Sequence, residues 1–170
     1  MIARTVPFAF ACLALLLPAA RAAEGDEILG QFRDWYAVAY DEQGTKICYM
    51  VSRPTNSEGN YDQRGAVYVQ VTRRSAEPAP DVVSFEAGYA FLDGAKIEVA
   101  IDGKNHDLFT KGQTAWAYDA DGDKTLVEAM AKGTRMVVKG VSARGTDTTD
   151  TYSLLGFTAA QRAMAEACGK

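Results

Sequence analysis

Short alternating segments, each cut off by a turn signal, constrain this chain more than any other feature. Residues 66–72, AVYVQVT, place Val67, Val69 and Val71 on one side and Tyr68, Gln70 and Thr72 on the other. That period of two is the mark of a strand with both faces partly covered. Further strands are predicted over 34–40, 46–53, 82–89, 96–102, 105–109, 114–118 and 135–141, with 152–154 as the last. Gln43-Gly44, Pro54 and Asp102-Gly103-Lys104 punctuate the series, and the last of these is a hairpin signal because glycine accepts positive φ. Residues 55–60 and 143–150 are polar and are predicted as surface loops, and 75–81, with two prolines, as a connection. About seven to nine short strands at turn spacings of roughly 8–12 residues predict an all-β antiparallel sandwich or barrel, since a βαβ plan would need helices between the strands.

Two helices carry start signals. Thr125-Leu126-Val127-Glu128 has the spacing of a capping box, predicting a short helix to Lys132 that ends at Gly133 in a left-handed conformation. Thr158-Ala159-Ala160-Gln161 repeats the pattern before a C-terminal helix with Phe157, Ala160, Met164 and Ala167 near one face.

Residues 1–22 are assigned to export. A charge at Arg4, an apolar run over 6–20 and the small residues of Ala20-Arg21-Ala22 predict a secretory signal peptide cleaved after Ala22. The run is about fifteen residues, short of the roughly 20 that cross a bilayer, so no membrane span is expected after cleavage. Cys12 lies inside that run, which argues against a lipid-acceptor cysteine. Residues 23–170 are then expected to form a single β-sandwich domain, periplasmic, at the cell surface or secreted. Losing Arg4 and Arg21 from the 18 basic residues, and none of the 22 acids, takes the net charge from −4 to −6. An acidic chain is a poor partner for nucleic acid, whose phosphates need a cationic face. The two cysteines that remain, Cys48 and Cys168, are predicted to form a disulfide, because exported chains with an even cysteine count are usually bridged.

Reaction chemistry is not visible. His106, the single histidine, stands between Asn105 and Asp107 and is read as an exposed strand residue. Asp119-Ala120-Asp121-Gly122-Asp123 resembles the start of a calcium loop, but an EF-hand needs glycine sixth and glutamate twelfth, where this chain has Lys124 and Met130. A solvated acidic turn before the helix is expected instead, with no metal and no cofactor. Nucleophile-elbow, P-loop and dinucleotide motifs are missing. Tyr61, Tyr68 and Tyr89 are candidates for a weak binding face. The leading expectation is a non-enzymatic interaction protein whose partner is an envelope or host protein. The alternative is a carboxylate-based hydrolase or small-ligand binder acting on envelope sugars.

Several segments together resemble a known family. They are Phe32-Arg33-Asp34-Trp35, Ile47-Cys48-Tyr49 with Ser52, Asp81-Val82-Val83-Ser84 with Glu86-Ala87-Gly88-Tyr89, and Thr114-Ala115-Trp116-Ala117. Residues 130–139 (MAKGTRMVVK), Ser142-Ala143-Arg144-Gly145-Thr146, Tyr152-Ser153-Leu154 and Gly156-Phe157-Thr158-Ala159-Ala160 complete the likeness. The chain thereby resembles the invasion-associated locus B family of exported alphaproteobacterial proteins. The resemblance implies a sandwich of immunoglobulin-like character in the periplasm or at the surface. The family is named for a part in the invasion of host red cells, a phenotype that brings no active site with it. Two departures stand out: Arg33 where the family commonly has glycine, and Val38-Ala39-Tyr40 where many members carry another cysteine.

Overall fold

The computed structural model describes residues 25–75 and 80–169. The expected signal peptide over 1–22 lies outside them, as does the middle of the proline-containing connection. Strands β1 (Glu27–Phe32), β2 (Trp35–Glu42), β3 (Thr45–Ser52), β4 (Asn56–Gly59), β5 (Tyr68–Arg74) and β6 (Val82–Glu86) come first. They are followed by β7 (Ile97–Ile101), β8 (Lys104–Lys111), β9 (Thr114–Trp116), helix α1 (Ala120–Lys132), β10 (Arg135–Val141), β11 (Asp147–Ser153) and helix α2 (Phe157–Cys168). Every strand pairing is antiparallel, in the order β1-β2-β3-β5-β6-β9-β8-β7-β10-β11-β4.

The all-β expectation holds, with two layers that are continuous through one strand. Residues 104–108 of β8 pair with β7, while Phe109, Thr110 and Lys111 pair with β9. The strand therefore crosses from the second layer (β7, β10, β11, β4) to the first (β9, β6, β5, β3, β2, β1), leaving β1 and β4 as the two edges of an open sheet. A single apolar core draws Trp35, Met50, Val69, Val71 and Phe85 from the first layer, Val99, Met136 and Tyr152 from the second, and Leu126, Met130, Phe157 and Met164 from the helices. Trp35 is fully buried, edge-on to Phe157 with ring centroids 4.9 Å apart, and its Nε1 donates to the Ser153 carbonyl at 3.1 Å. One side chain thus ties β2, β11 and α2. Burying an aromatic of this kind contributes about 1.5–3 kcal/mol.

Among the described residues eleven strands form where about seven to nine are expected. Residues 55–60, expected as a loop, contain β4, which pairs with β11. Residues 143–150, also expected as a loop, contain the first half of β11. β4 is polar because all four of its residues are exposed, and the start of β11 because its inward positions hold Thr148 and Asp150 rather than aliphatic residues, so hydrophobic alternation could not reveal either. β1 lies at an edge, with a register shift between Ile28 and Gly30, and its alternation is correspondingly broken.

Both helix starts differ from expectation. α1 begins five residues before Thr125, capped by Asp119, whose Oδ1 accepts from the Gly122 N–H at 2.8 Å. The acidic stretch 119–123 is therefore the cap and first turn of the helix, where carboxylates suit the positive end of the helix dipole. Thr125 is inside the helix, donating to the Asp121 carbonyl. Gly133 is extended rather than left-handed, and its lack of a Cβ accommodates Ile101 and Leu154. α2 starts at Phe157 after Gly156, and Thr158 donates to the Ala131 carbonyl instead of capping its own helix. Gly156 has φ +95°, and a Cβ there would collide with the Phe32 carbonyl. Phe157, Ala160 and Met164 are buried as expected, with Cys168 completing the face.

Candidate functional site

The predicted tyrosines do not share a face. Tyr61 and Tyr89 converge on Arg64, whose guanidinium carbon lies 5.5 Å from the first ring centroid and 4.9 Å from the second. Arg64 makes a bidentate pair with Asp150 of β11 at 2.8 and 2.7 Å, and its Nε donates to the Ala87 carbonyl just beyond β6 at 2.6 Å. The Ser57 hydroxyl of β4 donates to the same carboxylate at 2.6 Å, and the Tyr89 and Thr148 hydroxyls are hydrogen-bonded at 2.6 Å. With side-chain exposures of 6% and 5%, Arg64 and Asp150 form a buried latch between the two layers. Burial alone disfavours the guanidinium charge, but the Asp150 bonds and charge outweigh it and hold Arg64 above its ordinary value. Burial also raises the Tyr89 phenol. A cavity of about 620 Å³ opens above the latch, bounded by Tyr61, Tyr89 and the Arg144 turn.

Tyr68 belongs to the other candidate region, the side of the first layer turned away from the core. Because Val69 and Val71 point inward, Tyr68 and Gln70 point outward. Strand register aligns Gln31, Tyr36, Val51, Gln70, Ser84, Trp116 and Phe109 across that face in a row without a charged side chain. At the far end Phe109 stacks on Trp116, centroids 5.7 Å apart, and packs against Tyr118 at 5.6 Å. Phe109 is 37% and Tyr118 64% exposed. At the near end a hollow of about 490 Å³ is lined by Tyr36, Tyr49, Tyr68, Gln70, Arg33 and Arg53, among others. Burial raises the Tyr49 phenol, with Asp26 and Tyr40 adding to it, so its hydroxyl stays protonated at neutral pH. The sequence signal for this face is modest: outward positions in β2, β3 and β5 repeat tyrosine, and Trp116 falls opposite Phe109 only once the β8–β9 register is known.

His106 is half-buried in β8, not exposed, and its Nε2 has no hydrogen-bond partner among the described residues. Burial, reinforced by Lys104, lowers its pKa and keeps the ring neutral. Among the described residues no group of three histidine, cysteine or acidic side chains could hold a metal. The buried carboxylates are engaged in building the fold: Asp81 forks onto Arg73 at 2.6 and 2.9 Å, Asp123 accepts from the Val83 N–H at 2.9 Å, and Asp150 holds Arg64. Cys48 of β3 and Cys168 at the end of α2 form a disulfide with Cα atoms 6.0 Å apart. No described helix is long and apolar enough to cross a membrane.

Comparison with known proteins agrees with this architecture. The crystal structure of invasion associated protein B from Bartonella henselae superposes with a TM-score of 0.56 at 19% identity, covering 81% of this chain and 95% of that one. At that identity the likeness concerns the fold. No curated protein matches the chain. The model of the invasion associated locus B (IalB) protein family matches residues 35–165, from the core tryptophan of β2 into α2. By that match, the chain belongs to the invasion associated locus B family.

Proposed function

We propose that this protein is exported to the periplasm or cell surface and acts there without catalysis, as an interaction module that docks an envelope or host protein. The observation that carries the reading is the aromatic cluster of exposed Phe109 and Tyr118 around partly buried Trp116 at the outer face of the first layer. Tryptophan and tyrosine dominate the energetics of protein interfaces, because each supplies a large, rigid contact area at small conformational cost. The support beneath the cluster fits the same role: β8 and β9 lie in the interior of the strand order, each paired on both sides, so Phe109 and Trp116 are presented on strands, with Tyr118 just beyond β9. Buried carboxylates committed to Arg64, Arg73 and the Val83 N–H support the non-catalytic part of the reading. The signal-peptide pattern over 1–22 supports export.

In-cell crosslinking of the tagged protein tests the proposal. One reproducible envelope or host protein should be captured, and the Phe109→Ala and Tyr118→Ala variants should lose it while remaining folded. Capture that survives both substitutions would remove this face from the mechanism, and reproducible failure to capture any protein would overturn the module itself.

A further inference from the structure

The hollow at the opposite end of the same sheet face has a different chemistry from the aromatic cluster. Counting strands from β2 to β8 at about 4.8 Å each, Tyr36 and Phe109 are separated by roughly 24 Å, so the two regions can be occupied independently. Tyr36, Tyr49 and Tyr68 project from three adjacent strands, β2, β3 and β5, and Gln70 supplies an amide between them. Arg33, in the β1–β2 turn, and Arg53, just past β3, stand at the rim. Neither arginine forms an ion pair with any described residue, and the one acid in the lining is Asp34. On a chain with a net charge of −4, two uncommitted guanidinium groups beside one carboxylate make a local cationic spot.

Arg33 also occupies a backbone position that disfavours it. Its φ is +56°, in the left-handed region. A residue with a Cβ is disfavoured there by about 1–2 kcal/mol relative to glycine. An arginine in that conformation is accounted for if its side chain does something that glycine cannot.

We propose that this hollow binds an oligosaccharide bearing carboxylate groups, with the tyrosine rings lying against sugar C–H faces, Gln70 and the phenols bonding hydroxyls, and Arg33 and Arg53 receiving the carboxylates. Arginine matches a carboxylate in a bidentate geometry. Amides and phenols can each donate to and accept from hydroxyl groups, which charged side chains alone cannot do. A purely anionic peptide would use the arginines and could pair its backbone with Gln70, but it offers no flat C–H faces to the three rings, and so is the weaker fit. The inference does not depend on the aromatic cluster being a protein-docking surface.

Calorimetric titration of the folded protein with tetragalacturonate at low ionic strength tests it, with cellotetraose and tetraglutamate as neutral-sugar and acidic-peptide controls. Saturable binding of tetragalacturonate is expected, weaker by about tenfold or more for either control, a margin of about 1.4 kcal/mol. Arg33→Gly and Tyr36→Ala should each weaken it about tenfold, while Phe109→Ala leaves it unchanged. Arg33→Gly should at the same time raise the melting temperature, because glycine relieves the positive φ, so its loss of binding cannot be attributed to unfolding. Equal binding of tetraglutamate would identify a plain anion patch, and equal binding of cellotetraose would remove the arginines from recognition. Either result, absence of binding, or affinity unchanged in both hollow variants would overturn the proposal.

Discussion

Replacing Asp150 with alanine should be among the most damaging single changes in this protein, and its cost follows from what surrounds the carboxylate. Asp150 accepts two bonds from Arg64 and one from Ser57, and both charged side chains are almost wholly buried. Alanine strands the guanidinium between the layers with the Ala87 carbonyl and two aromatic rings for company. Leaving one member of a buried ion pair uncompensated costs about 3–5 kcal/mol. The orphaned Ser57 hydroxyl adds about 1 kcal/mol. Against a domain stability of about 5–15 kcal/mol, that is a large fraction. For a chain of this size a loss of about 4 kcal/mol lowers Tm by roughly 8–16 °C. The paired variant Arg64→Met with Asp150→Val removes both charges and replaces them with apolar volume. It loses the bonds to Ala87 and Ser57 but not the desolvation of a lone charge, so it should be more stable than Asp150→Ala alone. Urea unfolding followed by tryptophan fluorescence reads these proteins and the single variants Arg64→Met and Asp150→Val, since the fully buried Trp35 becomes exposed on unfolding. A cost below about 1 kcal/mol for Asp150→Ala, the range of an exposed pair, would refute the latch. So would a double variant whose cost equals the sum of the two single substitutions, because a coupled pair is not additive.

Other consequences can be measured on the same preparation. Reducing the Cys48–Cys168 bridge, or replacing both cysteines with serine, opens a link between residues 120 apart in sequence and should cost up to about 5 kcal/mol by loss of chain restriction in the unfolded state; a midpoint that does not move on reduction would contradict this. Burial raises the Asp123 carboxyl above its ordinary 3.8, outweighing the Val83 N–H, with Asp119 and Asp81 adding to the rise. The native chain therefore holds this proton more tightly than the unfolded chain, so the contribution of Asp123 to stability is complete below 3.8 and declines as pH rises through its raised native value. Asp123→Asn should gain stability relative to wild type as pH rises from 3.8 through that raised native value and hold a constant advantage above it, and a difference between the two proteins that does not change across that window would exclude the assignment. Gly156→Ala forces a Cβ into the Phe32 carbonyl at a positive φ and should cost about 3 kcal/mol or more; unchanged thermal unfolding would show that the β1–β2 turn and α2 can separate there without penalty.

Sequence alone determined the antiparallel, two-helix character of the protein. Valine alternation in β5, the Asp102-Gly103 turn and the apolar stripe Phe157, Ala160 and Met164 all record local geometry, which a period of two or of 3.6 exposes directly. Two cysteines in a chain read as exported also sufficed to pair Cys48 with Cys168. Polar elements escaped the same reading. β4 and the start of β11 look like loops because β4 is wholly exposed and Thr148 and Asp150 fill the inward positions of β11, and what satisfies the Asp150 carboxylate there is Arg64, from a segment 86 residues away in sequence, together with Ser57 of β4. Capping boxes misplaced both helix starts for a related reason: the local pattern at Thr125 competed with a better cap at Asp119, and Thr158 found the Ala131 carbonyl of the other helix. Only the tertiary structure decided which tyrosines meet. It sent Tyr61 and Tyr89 to the Arg64 latch and Tyr68 to the outer face, and it aligned Trp116 with Phe109, because side-chain neighbours across a sheet are set by strand register and not by distance along the chain.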